Sequence, residues 1–387
     1  MKVLLLGVGM QGKAALYDLL HHSEGITVIA ADKEIEALRA HVKGKQWDGR
    51  VRCEPVDAAD PEHLHRLMAL GPDVAISLLP PRLHTGVAVA AVDHGIHLVT
   101  ASYAAPDLKN LAERAGARRV AILPEFGMDP GIDLVFLGEA VRRLDRVEEI
   151  ASYGAGFPES AAADNPLKYK VTWNFEGVLK SYWRSARLIR NGKILDVPET
   201  DIFSPEHIHE VEIHGLGTLE AFPNGDAMRY IDLPGIEKSN LRNMGRFVLR
   251  WPGHSAFWKK LVDLHLLDDE PVEMDGALVD RKRFLAAALS PHIQYGPHER
   301  DVVVVRVAVK GMKDGKKQTL VLQVIDRGDP ETGLKAMHRT VGFTASIGAQ
   351  MIGTGIIKKR GILSPAIDVP YRPFAEALKK RGLPPIK

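Results

Sequence analysis

Near the amino terminus, Gly7-Val8-Gly9-Met10-Gln11-Gly12 carries the spacing G-x-G-x-x-G. In that spacing the first glycine permits a tight turn, the second lets a pyrophosphate approach the backbone, and the third lets helix and strand pack closely. A helix opening at the turn presents its amino end to the anion. Gly7, Gly9, Met10, Gln11 and Gly12 are the expected grip on a dinucleotide. Asp32 stands 20 residues after Gly12, where such a site needs a carboxylate for the ribose hydroxyls. That carboxylate would repel a 2′-phosphate, which favours NAD, while Lys33 beside it keeps NADP open. Asp57, at the end of a further apolar run, either approaches the adenine or serves as a turn carboxylate.

These residues need a frame, and the first third of the chain supplies its pattern. Short apolar runs at Val3–Leu6, Thr27–Ala31, Val51–Val56, Val74–Leu79, His97–Ala101 and Val120–Leu123 read as buried parallel strands. Between them Gln11–His22, Pro61–Leu70, His84–His94 and Asp107–Ala117 have the length and periodicity of crossover helices, punctuated by Gly71-Pro72, Gly95 and Gly116. This alternation predicts an α/β fold whose residues 1–130 form a Rossmann-type, doubly wound parallel sheet.

After Pro130 the texture changes. A helix is expected over Ile132–Leu144, then strands at Val147–Tyr153, Lys170–Trp173, Val211–Ile213 and Phe247–Trp251. A long hairpin pairs Asp301–Val309 with Gln318–Val324 around Lys313-Asp314-Gly315-Lys316. Residues 131–330 thus read as a second, α+β domain with a mixed or antiparallel sheet. Residues 331–387, helical in spacing but interrupted by Gly348, Gly353 and Gly355, are expected to return to the first domain.

Composition narrows the function classes. With 387 residues, 45% of them hydrophobic and 26% charged, the chain has material for two packed domains. A formal charge of +2 gives no field to recruit nucleic acid or an anionic membrane. Cys53 is the only cysteine, so an intrachain disulfide and a thiolate metal site are excluded and a reducing, cytoplasmic compartment is expected. The apolar run at Val3–Leu6 is too short for a secretion signal, and no run is long enough to span a membrane.

The fourth strand and its successors are more specific. Ser77-Leu78-Leu79-Pro80-Pro81-Arg82-Leu83-His84, His97 to Tyr103, Gly127-Met128-Asp129-Pro130-Gly131-Ile132-Asp133 and Asn165 to Trp173 resemble the saccharopine dehydrogenase family, in particular its glutamate-forming saccharopine reductases. Leu219 to Phe222, Arg250-Trp251-Pro252-Gly253-His254 and Lys358 to Gly361 are equally similar to lysine 6-dehydrogenases of that family. The resemblance implies reversible oxidation of a carbon–nitrogen bond on a lysine-derived amino acid bound in a cleft between domains, by a homodimer or higher oligomer. On the matching positions Leu79, Pro80, Ser102 and Tyr103 line the cofactor, while Tyr103, Asp129, Trp173 and Arg250 face the substrate.

The nicotinamide takes the hydride, so the protein must supply a base and a clamp. Asp129 is the first candidate base, with Lys170 and Tyr103 behind it. For each the alternative is structural: a turn carboxylate, a solvated strand face, a ring stacked in the cleft. Arg250 can hold a carboxylate bidentately or serve in an ion pair. Two departures from the saccharopine pattern bear on substrate choice. Gly225 stands where those reductases carry an arginine, with Arg229 or Arg242 as substitutes, and Glu176 replaces a positive charge. Hence saccharopine and L-lysine both remain candidate donors. A polyamine-forming reductase of the same family and a catalytically silent dinucleotide-binding regulator are the alternatives.

His207, His209 and His214 with Glu206, Glu210 and Glu212 suggest a metal site, but nothing in this chemistry requires one and none is expected. His84 either reaches the nicotinamide or supports a neighbour. Lys358-Lys359-Arg360 and Lys379-Lys380-Arg381 read as solvated helix faces.

Overall fold

The computed structural model describes residues 1–386 apart from 46 and 48. They form two compact units, Met1–Gly138 with His338–Pro385 and Glu139–Met337 with Ile386.

The first unit is built on strands β1 (Lys2–Leu6), β2 (Thr27–Asp32), β3 (Val51–Pro55), β4 (Val74–Ser77), β5 (His97–Thr100) and β6 (Ala121–Leu123). The order across the sheet is β6-β5-β4-β1-β2-β3, all parallel, with the two-residue strand Gly361–Ile362 beside β6. The apolar runs of β1 and β4 are continuous because both faces are covered, and Val3–Leu6 and Val74–Ile76 are wholly buried. Helices α1 (Met10–His21), α2 (Ile35–Val42), α3 (Pro61–Met68), α4 (His84–His94), α5 (Ala112–Ala117) and α6 (Ile132–Arg142) follow in turn. Asp60 caps α3 by accepting from Glu62 N at 2.9 Å, with Pro61 at the first helical position.

Two expectations change here. The helix read over Asp107–Ala117 is a 3-10 turn, Pro106–Leu111, followed by the short α5. Gly348 does not interrupt the later helix, which runs unbroken from Ala336 to Gly353. A Cβ at Gly348 would lie 2.5 Å from the Phe126 ring, and one at Gly342 would lie 2.5 Å from the Gln11 carbonyl. These glycines allow close packing against α1 and the segment after β6. Arg381, beyond the last helix, reaches back to α1, where its Nε and Nη2 donate to the wholly buried Asp18 carboxylate at 2.5 and 3.1 Å.

The second unit holds an eight-stranded mixed sheet. Its strands are β7 (Arg146–Pro158), β8 (Ala186–Arg190), β9 (Lys193–Val197), β10 (His209–Ile213), β11 (Gly217–Pro223) and β12 (Asn243–Arg250). After the exposed hairpin β13 (Val272–Met274) and β14 (Ala277–Val279) come β15 (Asp301–Lys313) and β16 (Lys316–Arg327). The main path is β10-β11-β12-β7-β15-β16, with β8 and β9 branching from β12. The last two strands pair in continuous register from Val302↔Arg327 to Lys313↔Lys316. Asp314 and Gly315 sit at the turn with φ of 50° and 71°, the left-handed pair that a two-residue hairpin matched to strand twist requires.

Helices α7 (Phe175–Tyr182), α8 (His254–Asp263) and α9 (Arg281–Leu289) complete this unit. Tyr169, Phe175, Leu179, Tyr182, Phe203, Phe222 and Trp258 form the heart of its aromatic-rich core. The strand expected over Lys170–Trp173 is absent: the segment is irregular and leads into α7. Asn165 Oδ1 accepts from Leu167 N at 3.0 Å, and its Nδ2 donates to Tyr169 O at 2.8 Å, so a side chain rather than a ladder satisfies this stretch.

Candidate functional site

In the first unit the carboxyl ends of β1, β4, β5 and β6 carry Gly7, Leu79, Ser102 and Asp129, the edge on which ligands of open α/β sheets bind. Gly7 has φ of 87°, and a Cβ there would lie 3.0 Å from the Leu78 carbonyl. A Cβ on Gly12 would lie 2.0 Å from the Gly7 carbonyl. Both positions therefore exclude any side chain. Gly9 caps α1 without a side-chain acceptor, and the first-turn amides, Met10 and Gln11 among them, have no intrahelical partner. An anion fits that end of the helix.

Asp32 does more than the sequence suggests. Its Oδ2 accepts from Val8 N at 2.6 Å and its Oδ1 from Glu34 N at 2.9 Å, so the carboxylate ties the glycine turn to the start of α2. Lys33 beside it is exposed. Asp57 Oδ1 accepts from Ala59 N at 3.0 Å, which makes it a turn carboxylate. Leu79 and Pro80 follow β4, the latter exposed.

His84 opens α4 with both ring nitrogens engaged: Nδ1 lies 3.0 Å from Ser77 Oγ and Nε2 lies 3.1 Å from Ser102 Oγ. Burial lowers its pKa to about 4, so the ring is neutral. Tyr103, next to Ser102, is half-buried, as is Asp129. The Asp129-Pro130 bond is cis. The turn around it is held by Gly127 N donating to Pro130 O at 2.9 Å and by Gly131 N donating to Asp133 Oδ1 at 2.7 Å.

The second unit holds a buried cation. Arg250, at the end of β12, is 6% exposed and has no salt-bridge partner among the described residues. Nη1 donates to Leu249 O at 2.8 Å and Nη2 to Tyr182 Oη at 3.4 Å, and the guanidinium lies 5.1 Å from the Tyr169 ring centroid. Its Nε has no partner, nor have the buried hydroxyls of Tyr169, Thr172 and Tyr295. Burial pushes the Tyr169 and Tyr295 hydroxyls well above the ordinary tyrosine range, so both stay protonated and can donate.

Tyr182 Oη in turn lies 2.9 Å from His254 Nε2, whose Nδ1 lies 3.3 Å from the Leu167 carbonyl. A carbonyl only accepts, so His254 carries its proton on Nδ1 and accepts from Tyr182 on Nε2. Burial, then the charge of Arg250, keeps His254 neutral. Tyr169 and His254 lie inside the motifs that carry the family resemblance, whereas Tyr182 and Tyr295 stand outside any local signal.

Lys170 is buried and ion-paired. Nζ lies 2.7 Å from both Glu299 oxygens and 2.9 Å from Asp164 Oδ1. Burial opposes its charge, but its hydrogen bonds to Glu299 and Asp164 outweigh it and hold the pKa above the ordinary lysine value. Trp173 is half-buried over Gly177, where a Cβ would lie 2.7 Å from its ring. Glu176 pairs with Lys180 at 2.6 Å on the same face of α7. Among the described residues no group of three or more His, Cys, Asp or Glu could hold a metal ion; His207 and His209 instead have pKa values lowered by burial.

Residues 3–123 match a family model described as the saccharopine dehydrogenase NADP binding domain, and residues 127–383 match the saccharopine dehydrogenase C-terminal domain. The chain belongs to the saccharopine dehydrogenase family. The glutamate-forming, NADP-dependent saccharopine dehydrogenase of Saccharomyces cerevisiae is 27% identical over 98% of this chain and 97% of its own length. A solved apo structure of a saccharopine dehydrogenase (L-Glu forming) from the same organism superposes with a TM-score of 0.86 at 25% identity, over the full length of both chains. The mitochondrial alpha-aminoadipic semialdehyde synthase of Bos taurus is 28% identical over 99% of this chain, which spans 47% of that relative's length. The family description names NADP, the cofactor the sequence left open beside NAD.

One departure from the family pattern has a structural answer. Gly225 itself carries no guanidinium, yet the Arg184 guanidinium lies 3.7 Å from where its Cβ would stand, and Arg184 Nη2 donates to Asn224. Arg187 N donating to Gly225 O at 3.0 Å brings the two segments together. A guanidinium, that of Arg184, therefore stands beside Gly225.

Proposed function

We propose that the chain is an NADP-dependent oxidoreductase that cleaves the C–N bond of saccharopine. The observation that carries this reading is Arg250: a buried guanidinium without a counter-ion is costly unless an anion arrives, and its unpartnered Nε and the Tyr169 and Tyr295 hydroxyls near it are donors for a carboxylate. Saccharopine brings several carboxylates. Arg184 beside Gly225 supports it over L-lysine, and Glu176, the acid that would favour a polyamine, is paired with Lys180.

The residues divide the work. Gly7, Gly9, Met10, Gln11 and Gly12 hold the pyrophosphate, with Asp32 bracing the turn and Lys33 exposed beside it toward a 2′-phosphate. NADP, when bound, accepts the hydride. Asp129 takes the proton from the substrate nitrogen as the C–N bond becomes an imine, then assists the water that adds to its carbon. The carbinolamine collapses, releasing glutamate as the amine and leaving the aldehyde. Lys170 does not serve as base, since its partners hold it as an ammonium. Tyr103, half-buried after Ser102, serves the cofactor end of the site, and Trp173 covers the start of α7.

The same reading carries a homodimer or larger homo-oligomer, which rests on the family resemblance, working in the cytoplasm, which Cys53 as the single cysteine supports. No helix of the described residues is long and apolar enough to cross a membrane. The test is product analysis: one glutamate should appear for each NADP reduced with saccharopine as donor, and reduction without glutamate would reject the assignment.

A further inference from the structure

We propose that His84 is a positioning residue for the cofactor, fixing the Ser102 hydroxyl against the nicotinamide half of the dinucleotide. The inference rests on the first unit being a dinucleotide site. Three elements are tied through one ring: Ser77 ends β4, His84 opens α4, and Ser102 follows β5. In a doubly wound sheet the dinucleotide crosses where the strand order reverses, here between β1 and β4. The glycine turn and Asp32 lie on the β1–β2–β3 side, so the nicotinamide half falls over β4, β5 and β6. Ser102 stands there.

The chain of bonds has one useful end. Ser77 is wholly buried and its hydroxyl bonds only to His84, whereas Ser102 is half-buried at the ligand edge. There is no route for a proton beyond Ser77, so the relay orients rather than conducts. A neutral imidazole donates from one nitrogen and accepts at the other. If Ser77 donates to Nδ1, then Nε2–H donates to Ser102 and leaves the Ser102 proton pointing outward. In the opposite order Ser102 presents its lone pairs. In either order the imidazole couples the two hydroxyls and fixes the Ser102 rotor before any ligand binds. The carbonyl of Ser102 is held as well, accepting from Glu125 N at 3.0 Å.

The test uses the whole chain and NADPH fluorescence without substrate. An asparagine places its amide near Nδ1, keeping the Ser77 contact and losing Ser102; a glutamine reaches the Nε2 position and keeps Ser102. Ser102→Ala and His84→Asn are each expected to weaken NADPH binding by about three- to tenfold, the worth of one hydrogen bond. His84→Gln should recover most of the loss, and His84→Asn with Ser102→Ala should be no weaker than Ser102→Ala alone. Thermal midpoints, read in parallel, separate unfolding from loss of contact, and Ser102→Ala remains informative should either His84 variant not fold. Wild-type affinity in His84→Asn and Ser102→Ala, losses that multiply in the double variant, or a glutamine no better than asparagine would each overturn the proposal. Tight NADPH binding without turnover of saccharopine would instead overturn the proposed reaction and leave His84 in its place.

Discussion

The guanidinium of Arg250 lies over the ring of Tyr169, 5.1 Å from its centroid, with its Nε left without an acceptor. A charge so placed is costly in the free protein and valuable to a carboxylate ligand. Arg250→Ala should therefore lower kcat/KM for saccharopine by about 2–5 kcal/mol, while Arg250→Lys should recover little, since an ammonium cannot reproduce the planar fork. Arg250→Met should also raise the thermal midpoint of the ligand-free protein. An unchanged kcat/KM in Arg250→Ala would place the carboxylate elsewhere.

Asp32 is expected to matter through the glycine turn as well as through ribose. Asp32→Ala strands the amides of Val8 and Glu34, at a cost of roughly 1–3 kcal/mol. Binding of NAD and NADP, titrated separately, should then weaken together. A variant that loses NAD and gains NADP would show that the carboxylate acts only as a discriminator.

The Lys170–Glu299 pair gives a pH signature. Hydrogen bonding from Lys170 lowers the Glu299 pKa below its ordinary 4.5, so its stabilisation is present above that value and lost as pH falls through the folded pKa. Lys170 is raised above 10.5, so its stabilisation is present below 10.5 and lost as pH rises through the folded value. Thermal midpoints of wild type and Glu299→Gln should differ across the neutral range and converge in acid. A constant gap down to strongly acidic pH would remove the pair from the account.

Arg381 and Asp18 join the end of the chain to α1 through two buried hydrogen bonds. Arg381→Ala leaves the buried Asp18 with only His22, 3.1 Å away, and Gln350, 3.4 Å away, as partners, and should destabilise the first unit by about 1–3 kcal/mol in chemical denaturation. A loss within the error of extrapolation would mean that water replaces the guanidinium.

What the sequence made legible was local. Gly7 to Gly12 followed by Asp32 is a signal within one βαβ unit, and the strands around it are uninterrupted apolar runs. Helix α2 was missed because it is short and only Leu38 is buried. Lys170 to Trp173 resembled a strand by composition, but Asn165 bonds the segment locally and Val171 N finds a single carbonyl, that of Ile293 at 2.9 Å. Arg184 beside Gly225, Tyr182 beside Arg250 and His84 beside Ser102 are joined only by tertiary packing, which no spacing announces. Gly348 was read as a break because propensity penalises glycine in helices; the Phe126 ring packed against it explains its presence.

The most direct measurement sets saccharopine and L-lysine, each with NADP and with NAD, in four parallel progress curves at alkaline pH, following reduction of the nicotinamide. The account requires saccharopine with NADP to give the fastest curve and L-lysine to give none. Reduction with L-lysine and NAD alone would contradict it, and would return Glu176 and Gly225 to the weight that the sequence gave them.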